Sequence, residues 1–254
     1  MLLGIDVGNT HTVLGLFEGE ELVHHFRIRS ERGRPEDEYY VLLATLVQSS
    51  GVKQEEVDSS ILASVVPSLT DSLARSVKRA FGHQPLIVGP GIKTGMPILY
   101  ENPKEVGADR IVNAIAAFER VRSGVLVVDF GTATTFDCVS RRGEYLGGVI
   151  APGISLSAEA LFAKAARLPK TEIARPPRVL GRNTVHAMQS GLVYGYVGLV
   201  DGLVERLQEE MGYPCAVLAT GGEAPLIQSV SKTIEEVDEF LTLEGLRILY
   251  HRQQ

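Results

Sequence analysis

Two short stretches hold most of the residues in this chain that can do chemistry on a phosphate. Asp6-Val7-Gly8-Asn9-Thr10 stands near the start, and Asp129-Phe130-Gly131-Thr132-Ala133-Thr134-Thr135 near the middle. A phosphate-binding turn needs glycine, so that backbone can come close and adopt φ values other residues avoid. It needs amides and hydroxyls as donors to phosphate oxygens. A neighbouring carboxylate can hold a cation or a metal-bound water. Both stretches supply all three. One Asp-x-Gly-x-Thr is also an ordinary hairpin turn, where Asp, Gly and Asn are favoured. Two copies in equivalent surroundings point to phosphate instead.

The surroundings are equivalent because the sequence repeats. Residues 2–17 read LLGIDVGNTHTVLGLF and residues 125–140 read VLVVDFGTATTFDCVS. Each is an apolar strand that ends in Asp-x-Gly, turns through small polar residues and resumes as a second strand. Asp6 matches Asp129, and Gly8 matches Gly131. A turn follows each copy, at 18–20 and at 141–143, and then a third strand. A third motif, Thr220-Gly221-Gly222, follows a buried strand. It is a place where a ligand can touch backbone at a helix start, or a plain strand-to-helix turn. A fourth, Gly107-Ala108-Asp109-Arg110, opens a helix. On spacing alone Asp109 is a helix cap there, or a base. Arg110 is a solvated arginine, or a planar fork for a carboxylate.

The elements that must position these residues alternate between strand and helix. Helical spacing runs over 36–50, with Tyr40, Leu43 and Val47 on one face, then over 69–81 and 109–121. Strands are expected at 60–66 and 85–88, and a Gly- and Pro-rich loop over 89–102. In the second half, a helix over 155–166 ends before Pro169, and an irregular connection spans 167–183. A long helix covers 184–211, a strand 216–219, and a closing helix 243–251. This order is that of an α/β protein with two related domains. The long helix carries Gly191, Gly195, Gly198 and Gly202 on one face. Interior helix glycine costs about 1 kcal/mol relative to alanine. Such a stripe therefore predicts close approach of another helix, internal or from a second subunit.

Composition narrows the class. With 44% hydrophobic and 22% charged residues, the 254-residue chain can build a real core. A net charge of -6 without a basic stripe argues against nucleic acid as a partner. An acidic chain that binds a nucleotide must hold phosphate locally, because its overall field repels anions. Cys138 and Cys215 belong to no metal-binding spacing and read as buried free thiols. Of the histidines, His11 lies in the first turn, where it can meet nucleotide. His24, His25, His83, His186 and His251 read as structural or surface residues. No run reaches the ~18 apolar residues of a membrane helix, and no basic leader precedes Asp6. A cytoplasmic protein without a membrane partner is expected.

The three phosphate and glycine motifs, in this order, resemble the superfamily of actin, hexokinase and Hsp70-type ATPases. There, two Asp-Gly hairpins grip the phosphates and a late Gly-Gly turn lies against adenosine. The resemblance implies an α/β fold of two ribonuclease-H-like domains from an internal duplication. They would be 1–118 and 119–254, with ATP in the interdomain cleft. Gly107-Ala108-Asp109-Arg110, with both Asp-Gly motifs and Gly147-Gly148-Val149-Ile150-Ala151-Pro152-Gly153, is similar to type III pantothenate kinase from residue 5 to about 222.

That likeness implies ATP-dependent phosphorylation of pantothenate to 4′-phosphopantothenate, the first step of coenzyme A synthesis. It implies that Asp6, Val7, Gly8, Asn9, Thr10, His11, Thr12 and Val13 form the first phosphate loop. Thr132, Gly221 and Gly222 would also contact ATP, which binds with Mg²⁺. Asp129 would bind a monovalent cation, potassium or ammonium. Asp109 would be the general base. Tyr100, Gly107, Ala108, Asp109, Arg110 and Thr184 would hold pantothenate. The family is dimeric, which suits the glycine-striped helix. Two other readings stay open. One is another small-molecule kinase or phosphohydrolase of the same fold. The other is a non-catalytic regulatory accessory protein, against which the intact Asp6, Asp109, Arg110 and Asp129 argue.

Overall fold

A computed structural model describes residues 1–165 and 168–254. In chain order the strands and helices are β1 (Leu2–Val7), β2 (His11–Glu18), β3 (Glu21–Arg29), α1 (Glu36–Ser49), β4 (Ser59–Ser64), α2 (Pro67–Phe81), β5 (Leu86–Ile87) and α3 (Ala108–Val121). They continue with β6 (Val125–Phe130), β7 (Ala133–Val139), β8 (Tyr145–Pro152), α4 (Ile154–Lys164), α5 (Thr184–Met211), β9 (Ala216–Gly221), α6 (Ala224–Gln228), β10 (Glu236–Val237) and α7 (Leu241–His251). The expected end of the fourth helix, Ala166, lies outside the described residues.

The sequence repeat is a repeat of topology. One sheet has the order β3-β2-β1-β4-β5, and the other β8-β7-β6-β9-β10. In each, the first three strands form an antiparallel meander. The last two are added in parallel beside the first strand of the repeat. Parallel additions need long crossovers, and α1 and α5 lie in them. The central strands β1 and β6 are covered on both faces, and so read as nearly unbroken apolar runs.

In the first sheet, Leu3, Ile5 and Val7 point to one face, with Leu14 and Leu16 beside them. They pack with Tyr39, Leu43 and Val47 of α1 and with Leu69, Leu73 and Val77 of α2. The expected face of α1 is corrected by one residue. Tyr39, not Tyr40, is buried, because positions four apart share a face. Tyr40 lies instead under the Arg79 guanidinium, 4.4 Å from its ring centre. In the second sheet, Leu126, Val128, Phe130 and Phe136 pack with Leu192, Tyr196, Val200 and Val204 of α5.

The chain forms two compact units. One is Met1–Gly95 with Glu101–Ala116 and Leu241–Gln254; the other is Met96–Tyr100 with Ala117–Phe240. The sequence-based division at 118/119 follows the repeat, whereas these units divide at 116/117 and assign two further segments differently. Helix α7 returns to the first unit, where Leu243 and Leu246 cover the glycine face of β1 at Gly4. Thr242 Oγ1 donates to the buried Asn113 Oδ1 of α3 at 2.7 Å. Gly245 lies so close to α3 that a Cβ there would strike the Val112 carbonyl. Residues 96–100 join the second unit, held by Tyr145.

Helix α5 starts and stops where its sequence predicts. Asn183 Oδ1 accepts the His186 N–H at 2.8 Å, and Gly212, at φ 78°, closes the other end. Its glycine stripe has no helix against it among the described residues of this chain. A Cβ built at Gly191, Gly195 or Gly198 meets nothing within 4 Å, and one at Gly202 meets only Arg206. Among the described residues, the internal one of the two expected partners is therefore not found.

Candidate functional site

Each Asp-x-Gly motif runs into the turn of a hairpin, and the two turns differ by one residue. Val7 pairs with Thr12, which leaves Gly8, Asn9, Thr10 and His11 as the first turn. Phe130 pairs with Thr134, which leaves Gly131, Thr132 and Ala133 as the second. Thr12 therefore corresponds to Thr134, not to Thr135 as a gapless comparison gives. The Gly8 N–H donates to the His11 carbonyl, and the Gly131 N–H to the Ala133 carbonyl, each at 3.0 Å. The tips stay open, with Asn9, Thr10, His11, Gly131 and Thr132 exposed. Asp6 and Asp129 sit one step before the strand ends, each partly exposed beneath its turn.

In the first unit, the end of β3 braces the first turn. The Ser30 N–H donates to the Thr10 carbonyl at 3.0 Å, and the Ser30 and Thr12 hydroxyls lie 2.9 Å apart. Arg32 Nη2 donates to Asn9 Oδ1 at 3.2 Å. This exposed cation on the first turn is absent from the sequence expectation, since no local motif marks it.

The first turn of α3 holds Ala108, Asp109 and Arg110, with Gly107 just before it. Asp109 Oδ1 accepts the Arg110 N–H at 2.8 Å. A Cβ at Gly107 would stand 2.5 Å from that same oxygen, so the glycine makes room for the carboxylate. Burial raises the Asp109 pKa above the usual carboxylate range, while the Arg110 N–H and the Arg110 charge pull it down. A carboxylate made more basic in this way can take up a proton. Arg110 itself is buried.

In the second unit, two glycines close on the second turn. Gly153, at the start of α4, donates its N–H to the Thr132 carbonyl at 3.1 Å. A Cβ there would strike the Gly131 and Thr132 carbonyls. Gly221, at φ 93°, packs on Phe130, where any side chain would strike that residue's backbone. Parallel pairing sets Asp129 beside Thr220 and Phe130 beside Gly221. Asp129, Thr132, Gly221 and Gly222 are thus brought to one end of one sheet. Ser155 Oγ donates to Glu223 Oε1 at 2.6 Å, which ties the start of α4 to the Gly221–Gly222 turn.

Tyr100 and Thr184, also in the second unit, stand on different elements. The Tyr100 ring lies 6.4 Å from that of Tyr145. Thr184 is the exposed first residue of α5. It lines an open groove of about 800 Å³ with Leu161, Arg182, Met188, Leu192 and Tyr196. Among the described residues, no three of His, Cys, Asp and Glu stand together as a metal cluster, and no helix is long and apolar enough to cross a membrane.

A family model described as type III pantothenate kinase matches residues 2–206. A type III pantothenate kinase of Myxococcus xanthus (strain DK1622) is 60% identical over 252 residues, which cover 99% of this chain and 98% of that protein. Among solved structures, the chain is similar to a protein of Campylobacter jejuni named as a Baf family transcriptional activator. That match has 19% identity and a TM-score of 0.62 over 99% of this chain and 98% of that one. It is also similar to the inorganic polyphosphate/ATP-glucomannokinase of Arthrobacter sp. strain KM, at 13% identity and a TM-score of 0.53, over 100% and 99% of the two chains. At these identities the structural likenesses speak for fold alone. That fold is an α/β architecture of two five-stranded sheets, shared with the glucomannokinase.

Proposed function

Because the chain belongs to the type III pantothenate kinase family, we propose that it transfers the γ-phosphoryl group of ATP to the 4′-hydroxyl of pantothenate. The product is 4′-phosphopantothenate, and the reaction is the first step of coenzyme A synthesis. The observation that carries this reading is that the family match contains both Asp-Gly turns and Gly107–Arg110.

The residues take these roles in the reading. Asp6 to Val13 and Thr132 present backbone and hydroxyl donors to the phosphates of ATP, with Gly221 and Gly222 against its adenosine. The open turn tips suit this task, because close approach of phosphate needs exposed backbone. Arg32 adds a cation beside Asn9. Tyr100, Gly107, Ala108, Arg110 and Thr184 hold pantothenate, whose carboxylate fits a guanidinium fork. Asp109 accepts the hydroxyl proton as the new P–O bond forms and the bond to ADP breaks. Its role needs only modest basicity, since phosphoryl transfer passes through a loose transition state. Mg²⁺ bound with ATP would supply charge neutralisation at the phosphates. Asp129 holds one potassium or ammonium ion.

A second copy of the chain fits the glycine face of α5, which is open in this chain. The protein works in the cytoplasm as a homodimer. The test is direct: the purified protein is incubated with ATP, Mg²⁺ and pantothenate, with and without potassium or ammonium. Phosphopantothenate is expected only from the complete mixture. Folded protein that binds ATP yet forms no phosphopantothenate overturns the reading.

A further inference from the structure

We propose that the buried pair Asp137–Tyr145 is a positioning device for Tyr100, and sets the affinity for pantothenate without touching it. The proposal rests on the reading that Tyr100 contacts pantothenate.

Alternation along β7 sends Phe136 and Cys138 into the core beneath α5. Asp137 therefore faces the other side, with Thr135 and Val139. It is fully buried there. A buried carboxylate is tolerated only with donors around it. Tyr145 Oη donates to Asp137 Oδ1 at 2.7 Å, and Thr135 Oγ1 donates to Asp137 Oδ2 at 3.3 Å. The directional bond gives the Tyr145 ring a defined position.

That position matters because Tyr145 carries the segment before Tyr100. The register of β7 and β8 shifts between Cys138 and Val139, so that Leu146 is an extra residue in β8. Gly147 follows at φ 122°, a conformation other residues avoid. Such a bulge re-aims the strand around it. The Tyr145 N–H donates to the Pro97 carbonyl, and the Tyr145 carbonyl accepts the Leu99 N–H, both at 2.8 Å. The Tyr100 ring then lies over Gly147, 3.6 Å from where a Cβ would stand, and 6.4 Å from the Tyr145 ring. Backbone bonds, bulge and ring contact thus all run from Tyr145 to Tyr100, and Asp137 anchors Tyr145 from within.

The test is steady-state kinetics of Tyr145→Phe, which keeps the ring and its backbone bonds but removes the anchor. The pantothenate KM is expected to rise ~10-fold, with a smaller change in kcat and an ATP KM within about twofold of wild type. Asp137→Asn keeps an acceptor for the Tyr145 hydroxyl and is expected to stay within about threefold of wild type. In a Tyr100→Ala background, Tyr145→Phe is expected to add nothing further, because both act through one contact. The proposal is overturned by equal effects on both substrates, by lower thermal stability with both KM values unchanged, or by full additivity with Tyr100→Ala. Should Tyr100→Ala leave the pantothenate KM unchanged, the positioning role is overturned together with the Tyr100 contact, while the kinase reading stands on product formation. If Tyr145→Phe alone does not fold, the double variant with Asp137→Asn replaces the buried carboxylate by a neutral amide and is read by the same kinetics.

Discussion

Asp109 is subject to opposing influences at its place in the first turn of α3. Burial raises its pKa, and the Arg110 N–H and charge lower it, with burial the stronger. A carboxyl whose pKa is raised by folding stabilises the fold while protonated. That contribution is present below the unfolded value of about 3.9 and is lost as pH rises through the folded value. Above the folded value the ionised carboxylate is therefore held against stability. Asp109→Asn is expected to lower kcat by ~10²–10⁴-fold, the usual worth of a general base, while ATP still binds. Its melting temperature at pH 7 is expected to equal or exceed that of wild type, the difference closing as pH falls and Asp109 is protonated. Calorimetry across pH and a coupled kinase assay check both halves. Turnover near the wild-type rate in Asp109→Asn would remove the base assignment. That the Asp-Gly stretches lead into hairpin turns and that Asp109 opens a helix was legible because each motif is local. Arg32 was not, because its bond to Asn9 joins residues 23 apart along the chain, and an exposed arginine has no pattern of its own.

Elements were read best where their signals are also local. The limits of α5 follow from one cap residue and one left-handed glycine, and its register from the apolar positions that reach the core. The hairpin turns were read less well. A gapless match of the repeat hides the extra residue in the first turn, since only strand pairing reveals it. The glycine face of α5 was visible in sequence, but not what lies against it. In this chain a side chain at Gly195 has open space. Gly195→Leu should therefore leave the single chain folded, or stabilise its helix by about 0.5–1 kcal/mol. If a second copy packs along this face, the same change opens the interface. Sedimentation is expected to show folded monomers of Gly195→Leu at concentrations where wild type is a dimer. A variant that remains dimeric would place the interface elsewhere.

At the scale of the whole molecule, the last helix joins the first sheet, and nothing local in the sequence says so. The apolar spacing of α7 shows that one face is buried, yet either sheet has a face that leucines could cover. The choice is made by complementary shape. Gly4 and Gly15 leave room on β1 and β2 for Leu243, and Gly245 lets α7 approach α3 at Val112. Leu241, Leu243, Leu246 and Leu249 are all essentially buried. At ~1.5–3 kcal/mol each, their burial is comparable to the ~5–15 kcal/mol that stabilises a typical domain. Deletion of 241–254 is therefore expected to unfold the first unit, although the cut falls more than a hundred residues beyond the rest of it. Amide hydrogen exchange of the truncated chain is the measurement. Loss of protection in β1, β2 and β4 is expected, with protection retained in β6, β7 and β9, whose core includes no residue of α7. Protection retained throughout would mean that α7 adds little to the first unit. Loss throughout would mean that the two units fold as one.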